Sequence, residues 1–147
     1  IPTRIGIQVL NCNYKTSNTT GAANYFKMSE ITLYLWKPKL PCSVGHIAMQ
    51  FPDGEYISFW PSTCKSITAK GTDAWVSYKE DIGVNKEKRE ADKILKLPSS
   101  IINQEDAINW WNDYLCSSST NYNLVAVNCA TSVFNCLVQG GILSNCA

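Results

Sequence analysis

Charge, histidine and long apolar runs are all scarce in this 147-residue chain, and each scarcity excludes something. Charged residues make up 17% of it, below the ~25% of an average domain, and Ser, Thr and Asn fill the gap. Thirteen Lys and Arg against 12 Asp and Glu leave a net charge of +1 and no basic stripe. Nucleic acid is therefore not an expected partner, because its binding rests on phosphate neutralisation. The longest uninterrupted apolar runs, Leu33–Trp36 and Leu124–Val127, fall far short of the ~20 residues needed to span a bilayer. With one histidine and no Cys-x-x-Cys, no zinc-finger spacing can be assembled, and neither a metal nor an organic cofactor is expected. No internal repeat or low-complexity linker divides the chain, so residues 1–147 read as one domain. A domain of that length buries roughly two-thirds of its unfolded surface.

Cysteine, by contrast, is abundant: seven, at positions 12, 42, 64, 116, 129, 136 and 146. Scattered cysteines at this density point to disulfides in an oxidising compartment. The number is odd, so at least one thiol is left over. The chain begins Ile1-Pro2 without methionine, as a mature protein does after signal-peptide removal. Asn18-Thr19-Thr20 is an N-glycosylation acceptor sequence, meaningful on a eukaryotic secretory route. The expectation is a secreted, disulfide-stabilised monomer.

Strand signals come first along the chain. Arg4–Leu10 alternates like a strand, and Asn11–Gly21 is a polar loop. Ile31–Trp36 is strand-like and stopped by Pro38 and Pro41. Val44–Phe51 and Glu55–Trp60 flank Pro52-Asp53-Gly54, a hairpin signal. Trp75–Tyr78 and Ile94–Leu97 are shorter strand candidates, and Glu80–Lys93 between them is a charged, solvated connection. The last third is helical. Asn103 caps a helix with Glu105 and Asp106 in its first turn, and apolar spacing carries it to about Cys116. Its Trp110-Trp111 pair reads as core, with a sugar-stacking platform as the competing reading. A second helix starts at Asn128-Cys129, carries Val133, Cys136, Leu137 and Gly140 along one stripe, and ends at Gly140-Gly141. Strands first and helices last predict an α+β domain, an antiparallel β-sheet packed against C-terminal helices.

Chemistry concentrates on two residues. Cys129 stands at the start of a helix, where free backbone N–H groups and the positive dipole end favour a thiolate. Its own N–H is placed to donate to an oxyanion. A buried or disulfide-bonded cysteine would occupy the same position. His46 lies mid-strand in Gly45-His46-Ile47-Ala48-Met49-Gln50, where a satisfied core histidine is the plainer reading. If Pro52-Asp53-Gly54 is a three-residue loop, Phe51 opposes Glu55 and Ser58 shares the face of His46, one diagonal step away. A two-residue loop sends Ser58 to the other face.

Gly45-His46, Asp53-Gly54-x-Tyr56-Ile57-Ser58-x-Trp60-Pro61, Tyr122-x-Leu124 and Asn128-Cys129-Ala130-Thr131-x-Val133-x-x-x-Leu137-x-x-Gly140-Gly141 together resemble the circularly permuted papain-like proteins. These are relatives of the NlpC-type cell-wall peptidases and of the lecithin:retinol acyltransferase group. The histidine strand precedes the cysteine helix, which is the permuted order, and the resemblance covers about residues 44–142. It implies Cys129 as nucleophile, His46 as base and Ser58 in the third, orienting position, where many relatives carry histidine or another polar group. One nucleophile then leaves six cysteines, enough for three disulfides in any of fifteen pairings. Cys136–Cys146 is one expected pair, since the Gly140-Gly141 break lets the tail fold back. The implied activity is that of a secreted cysteine hydrolase or acyl transferase, amidase- or thiol-protease-like, working through a thioester. Its substrate is expected to be an amide (a peptide, a peptidoglycan stem peptide or a glutamine side chain), with a lipid ester second. Specificity is expected in the loops Asn11–Gly21 and Ser62–Asp73. The alternative is a secreted non-catalytic binding protein or toxin that contacts sugar or protein through surface Trp, Tyr and Asn.

Overall fold

The computed structural model describes residues 29–40, 43–61, 68–70, 72–73, 77–84, 86–116, 121–123 and 128–142. Its centre is an antiparallel sheet of four strands: β1 (Glu30–Trp36), β2 (His46–Gln50), β3 (Tyr56–Ile57) and β7 (Lys93–Pro98), in the order β3-β2-β1-β7. Two small pairs accompany it, β4 (Trp60–Pro61) with β6 (Thr72–Asp73), and β5 (Thr68–Lys70) with β8 (Asn121–Asn123). The specificity loop expected over Ser62–Asp73 is therefore partly strand. Helices α1 (Tyr78–Asp81), α2 (Gln104–Cys116) and α3 (Cys129–Gln139) complete the described elements. The fold is α+β, with its helices mainly in the last third. The expected strand Arg4–Leu10, loop Asn11–Gly21 and glycosylation triplet at Asn18 lie outside the described residues, as do Cys12, Cys42, Cys64, Cys146 and Leu124. No helix among the described residues is long and apolar enough to cross a membrane.

Pairing sets the two faces of the sheet. Opposed residues share a face, so Leu33↔Met49 and Met49↔Ile57 lie on one side, Tyr34↔Ala48 and Trp36↔His46 on the other. The first side meets α2 and α3 in the core, where Ile31, Met49, Phe51, Ile57 and Phe59 pack with Ala107, Trp111, Val133 and Cys136. Burying a side chain the size of Phe or Ile contributes roughly 1.5–3 kcal/mol, so these contacts carry much of the sheet-to-helix attachment. Trp110 lies half-buried against that core and stacks on Tyr114 at 5.2 Å between ring centroids. The pair is part of the core packing, with Trp111 buried at 3% exposure and Trp110 partly buried beside it.

The β2–β3 hairpin has the register of a three-residue loop. Phe51 N–H donates to the Glu55 carbonyl at 2.8 Å, and Gly54 N–H to the Phe51 carbonyl at 3.0 Å. Gly54 has φ +94°, a left-handed conformation that costs glycine nothing sterically. Gly45, immediately before β2, is constrained more tightly. Its φ is +90°, and a Cβ there would stand 2.9 Å from the Trp36 carbonyl oxygen. The missing side chain lets the entry to β2 lie against the end of β1, which is what brings His46 opposite Trp36.

Both helices of the last third start on capping asparagines. Asn103 Oδ1 accepts from Asp106 N–H at 3.1 Å, and Asn128 caps α3 in a box with Thr131. Gly140 lies where a Cβ would fall 2.1 Å from Ile102 Cγ1, so the end of α3 sits directly on the entry to α2.

The stretch Glu80–Lys93 departs most from expectation. It is not a solvated connection: Asp81 is fully buried and Glu87 is 7% exposed. The short strand expected at Trp75–Tyr78 is also replaced at its end, since Ser77 caps α1 through a box with Glu80; Trp75 and Val76 lie outside the described residues. Beyond α1, the chain is pinned over β1 by Trp36 Nε1 donating to the Arg89 carbonyl at 3.0 Å and Lys37 N–H donating to Asp92 at 2.7 Å.

Candidate functional site

The expected site residues come together. Cys129 is the first residue of α3, so its N–H lies among the amides that have no helical acceptor. The caps hold that end rigidly: Asn128 Oδ1 accepts from Ala130 and Thr131 N–H at 3.0 and 3.1 Å, and Asn128 N–H donates to Thr131 Oγ1 at 2.8 Å. His46, the first residue of β2, is 4% exposed. It lies between two indoles, stacked on Trp60 at 4.0 Å between centroids and tilted against Trp36 at 5.4 Å. Its ring and the Cys129 thiol line the same cleft and interact closely enough for each to shift the other's titration. Ser58, fully buried, has Oγ 2.8 Å from His46 Nε2.

One residue of the site had not been expected there. Asp81, at the end of α1, takes Ser58 Oγ on both oxygens at 3.1 and 2.9 Å, Tyr56 OH at 2.6 Å and Trp60 Nε1 at 2.7 Å. Its Oδ2 is 3.5 Å from His46 Nε2. A carboxylate can only accept, so the single Ser58 proton points to Asp81 and Ser58 Oγ accepts from His46. The network thereby assigns the Nε2–H tautomer and leaves the lone pair of Nδ1 for the thiol. Two sequence signals pointed here. Tyr56, Ser58 and Trp60 alternate on one side of the chain and present three donors in need of one acceptor, and Ser77-x-x-Glu80 has the form of a capping box.

The electrostatics follow from these contacts. Burial pushes the Cys129 thiol up, but the hydrogen bond and charge of His46 and the N–H groups of Ile47 and Ala130 outweigh it and bring it below an ordinary thiol. Burial works against the His46 cation; the bonds and charges of Asp81 and Cys129 prevail and raise it above its usual value. Asp81 is pushed up by burial yet held below the usual carboxylate range by His46, Tyr56 and Trp60. All three shifts favour thiolate, imidazolium and carboxylate together.

A cleft of about 340 Å³ opens on the pair, lined by Trp36, Pro38, Val44, Ile47, Cys129 and Ala130 among others, and among the described residues His46 is its only ionisable side chain besides the thiol. Among the described residues, no three His, Cys, Asp or Glu side chains are grouped so as to hold a metal ion.

The other thiols require a correction. Cys136 is free, as Cys129 is, so the pair Cys136–Cys146 and the set of three disulfides do not stand. Cys136 is fully buried on the inward face of α3, where it packs as a small apolar residue and burial pushes its thiol up. Cys116, at the exposed end of α2, is disulfide-bonded.

No protein family, curated protein or solved structure matches the chain.

Proposed function

We propose that the protein is a secreted cysteine hydrolase or acyl transferase with a permuted papain-like arrangement, acting on an amide through a thioester. The observation that carries this reading is the placing of Cys129, at a helix N-terminus, and His46 together on one cleft, with each shifting the other's titration. In the reaction, Sγ attacks the substrate carbonyl carbon, and the C=O π pair moves to oxygen beside the Cys129 N–H. The thiol proton, taken by His46 Nδ1, passes to the leaving nitrogen as the C–N bond breaks. Water or another acceptor, deprotonated by the same nitrogen, then releases the acyl group. Ser58 holds the ring through Nε2 in both half-reactions.

The cleft lining favours an uncharged, apolar acyl portion next to the scissile carbonyl. That keeps a peptide with an apolar residue first among substrates and a lipid ester second. The bonded state of Cys116 supports an oxidising, secretory location. A non-catalytic binding module gives no account of a lowered thiol beside a raised imidazole.

The test is intact-mass detection of an acyl-enzyme on incubation with a panel of acyl amides and esters. The proposal expects a stoichiometric adduct on Cys129, lost in Cys129→Ala. Turnover that persists in Cys129→Ala would contradict it.

A further inference from the structure

Behind the imidazole, the site ends in the carboxylate of Asp81, which is not among the residues lining the cleft. We propose that Asp81 is a positioning residue for the Cys129–His46 pair, acting through Ser58 as the charged end of a chain Cys129–His46–Ser58–Asp81. The proposal rests on the cysteine–histidine reading above and deepens it.

The geometry leaves Ser58 little other use. It is fully buried, and its oxygen lies 2.8 Å from His46 Nε2 and 2.9 and 3.1 Å from the two oxygens of Asp81. A serine alone orients a ring but supplies no charge. Here the hydroxyl joins the ring to a fully buried carboxylate whose Oδ2 is itself 3.5 Å from Nε2. When Cys129 passes its proton to His46, the ring gains one positive charge and the sulfur one negative. Asp81 faces the ring at Nε2, where a fixed negative charge in a dry site is weakly screened. No proton need reach Asp81, and Ser58 keeps its own.

Tyr56 and Trp60 are what make a buried carboxylate tolerable. Each donates to one Asp81 oxygen, at 2.6 and 2.7 Å, while Ser58 bridges both. They also fix the orientation, because the carboxyl plane is held from both ends. Other titratable groups near the cluster are the Cys129 thiol from α3, Tyr34 from β1 and Tyr78 from α1, the last two facing Tyr56. Lys86 Nζ stands 5.0 Å over the Trp60 ring, on which His46 also stacks. Lys86 therefore brings positive charge towards the ring, and among the described residues Asp81 is the only carboxylate bonded into the cluster that opposes it.

The protein has a single histidine, so its ring ¹H–¹³C signal is assigned without further work and titrates as a direct readout. The experiment follows that signal in the full chain and in Asp81→Asn, Ser58→Ala and Cys129→Ala, alongside the pH dependence of Cys129 alkylation by iodoacetamide. Asp81→Asn should lower the His46 midpoint by a unit or more, and slow alkylation at pH 6 about tenfold or more. Ser58→Ala should move both in the same direction by less. In Cys129→Ala the His46 midpoint should stay above the ordinary imidazole value of about 6.5, because Asp81 still faces the ring. That arm separates this inference from the nucleophile reading, which fails on its own if His46→Ala leaves alkylation unchanged. A folded Asp81→Asn with both profiles unmoved would show Asp81 to be structural only. If Asp81→Asn does not fold, Ser58→Ala decides alone, and an unmoved His46 midpoint there overturns the chain.

Discussion

At the scale of single residues, buried polar groups carry the account. Asp81, His46 and Ser58 are each 4% exposed or less, and each has its partners within the cluster. Removing Cys129 leaves no large cavity, so Cys129→Ala should unfold at a temperature close to that of the unmodified chain while losing all activity. His46→Ala should come close to the same loss, and Ser58→Ala should be partial. Asp81→Asn places an amide N–H₂ against donors, and an unsatisfied buried polar group costs about 1–3 kcal/mol; denaturant unfolding measures it. The pH dependence has two limbs. Asp81 is depressed in the folded state, so its contribution is complete above the unfolded value of about 3.9 and is lost as pH falls through the folded one. His46 is raised when folded, so its contribution is complete below about 6.5 and is lost as pH rises through its folded midpoint. Urea midpoints across pH should therefore decline on both sides, and Asp81→Asn should flatten the acid side. Local signals put His46 on a strand and Cys129 at a helix start, but the resemblance, not those signals, singled them out as a pair. Asp81 was hidden in a charged run, since burial of a carboxylate depends on donors far off in sequence.

The elements matter through their ends. β2 delivers His46 because Gly45 enters it at φ +90°, with only 2.9 Å to the Trp36 carbonyl for a Cβ. Gly45→Ala should cost at least the ~1–2 kcal/mol of a left-handed non-glycine residue. It should also cut activity more than its stability loss explains, by displacing His46. Helix α3 presents Cys129 through the Asn128 cap, and Asn128→Ala should cost about 1 kcal/mol and raise the pH at which Cys129 alkylates. Gly140→Ala would place a methyl group 2.1 Å from Ile102 Cγ1 and destabilise by about 1–3 kcal/mol, with the thiol profile unchanged. Strand β1, the β2–β3 hairpin and both long helices followed from alternation, Pro-Asp-Gly and capping asparagines, whereas the hairpin's register stayed open between loops of two and three residues. The one-turn helix α1 and the pairs β4–β6 and β5–β8 did not, because they are too short for periodicity to register and are held by distant partners.

For the whole molecule, the redox state of the cysteines is the coarse test. Alkylation of the denatured, unreduced chain should label Cys129 and Cys136 and leave Cys116 protected; on the native protein Cys129 alone should react. Loss of a native bridge in a small secreted domain costs ~2–5 kcal/mol, so reduction should lower the melting temperature. The central claim is that His46 makes a nucleophile of Cys129, and the most direct measurement is the rate of Cys129 alkylation against pH in the native chain and in His46→Ala. The account predicts a rise centred well below the ~8.5 of a free thiol in the first, moved up to or beyond that value in the second. Coincident profiles in the two proteins, or one centred near a free thiol in both, would contradict it.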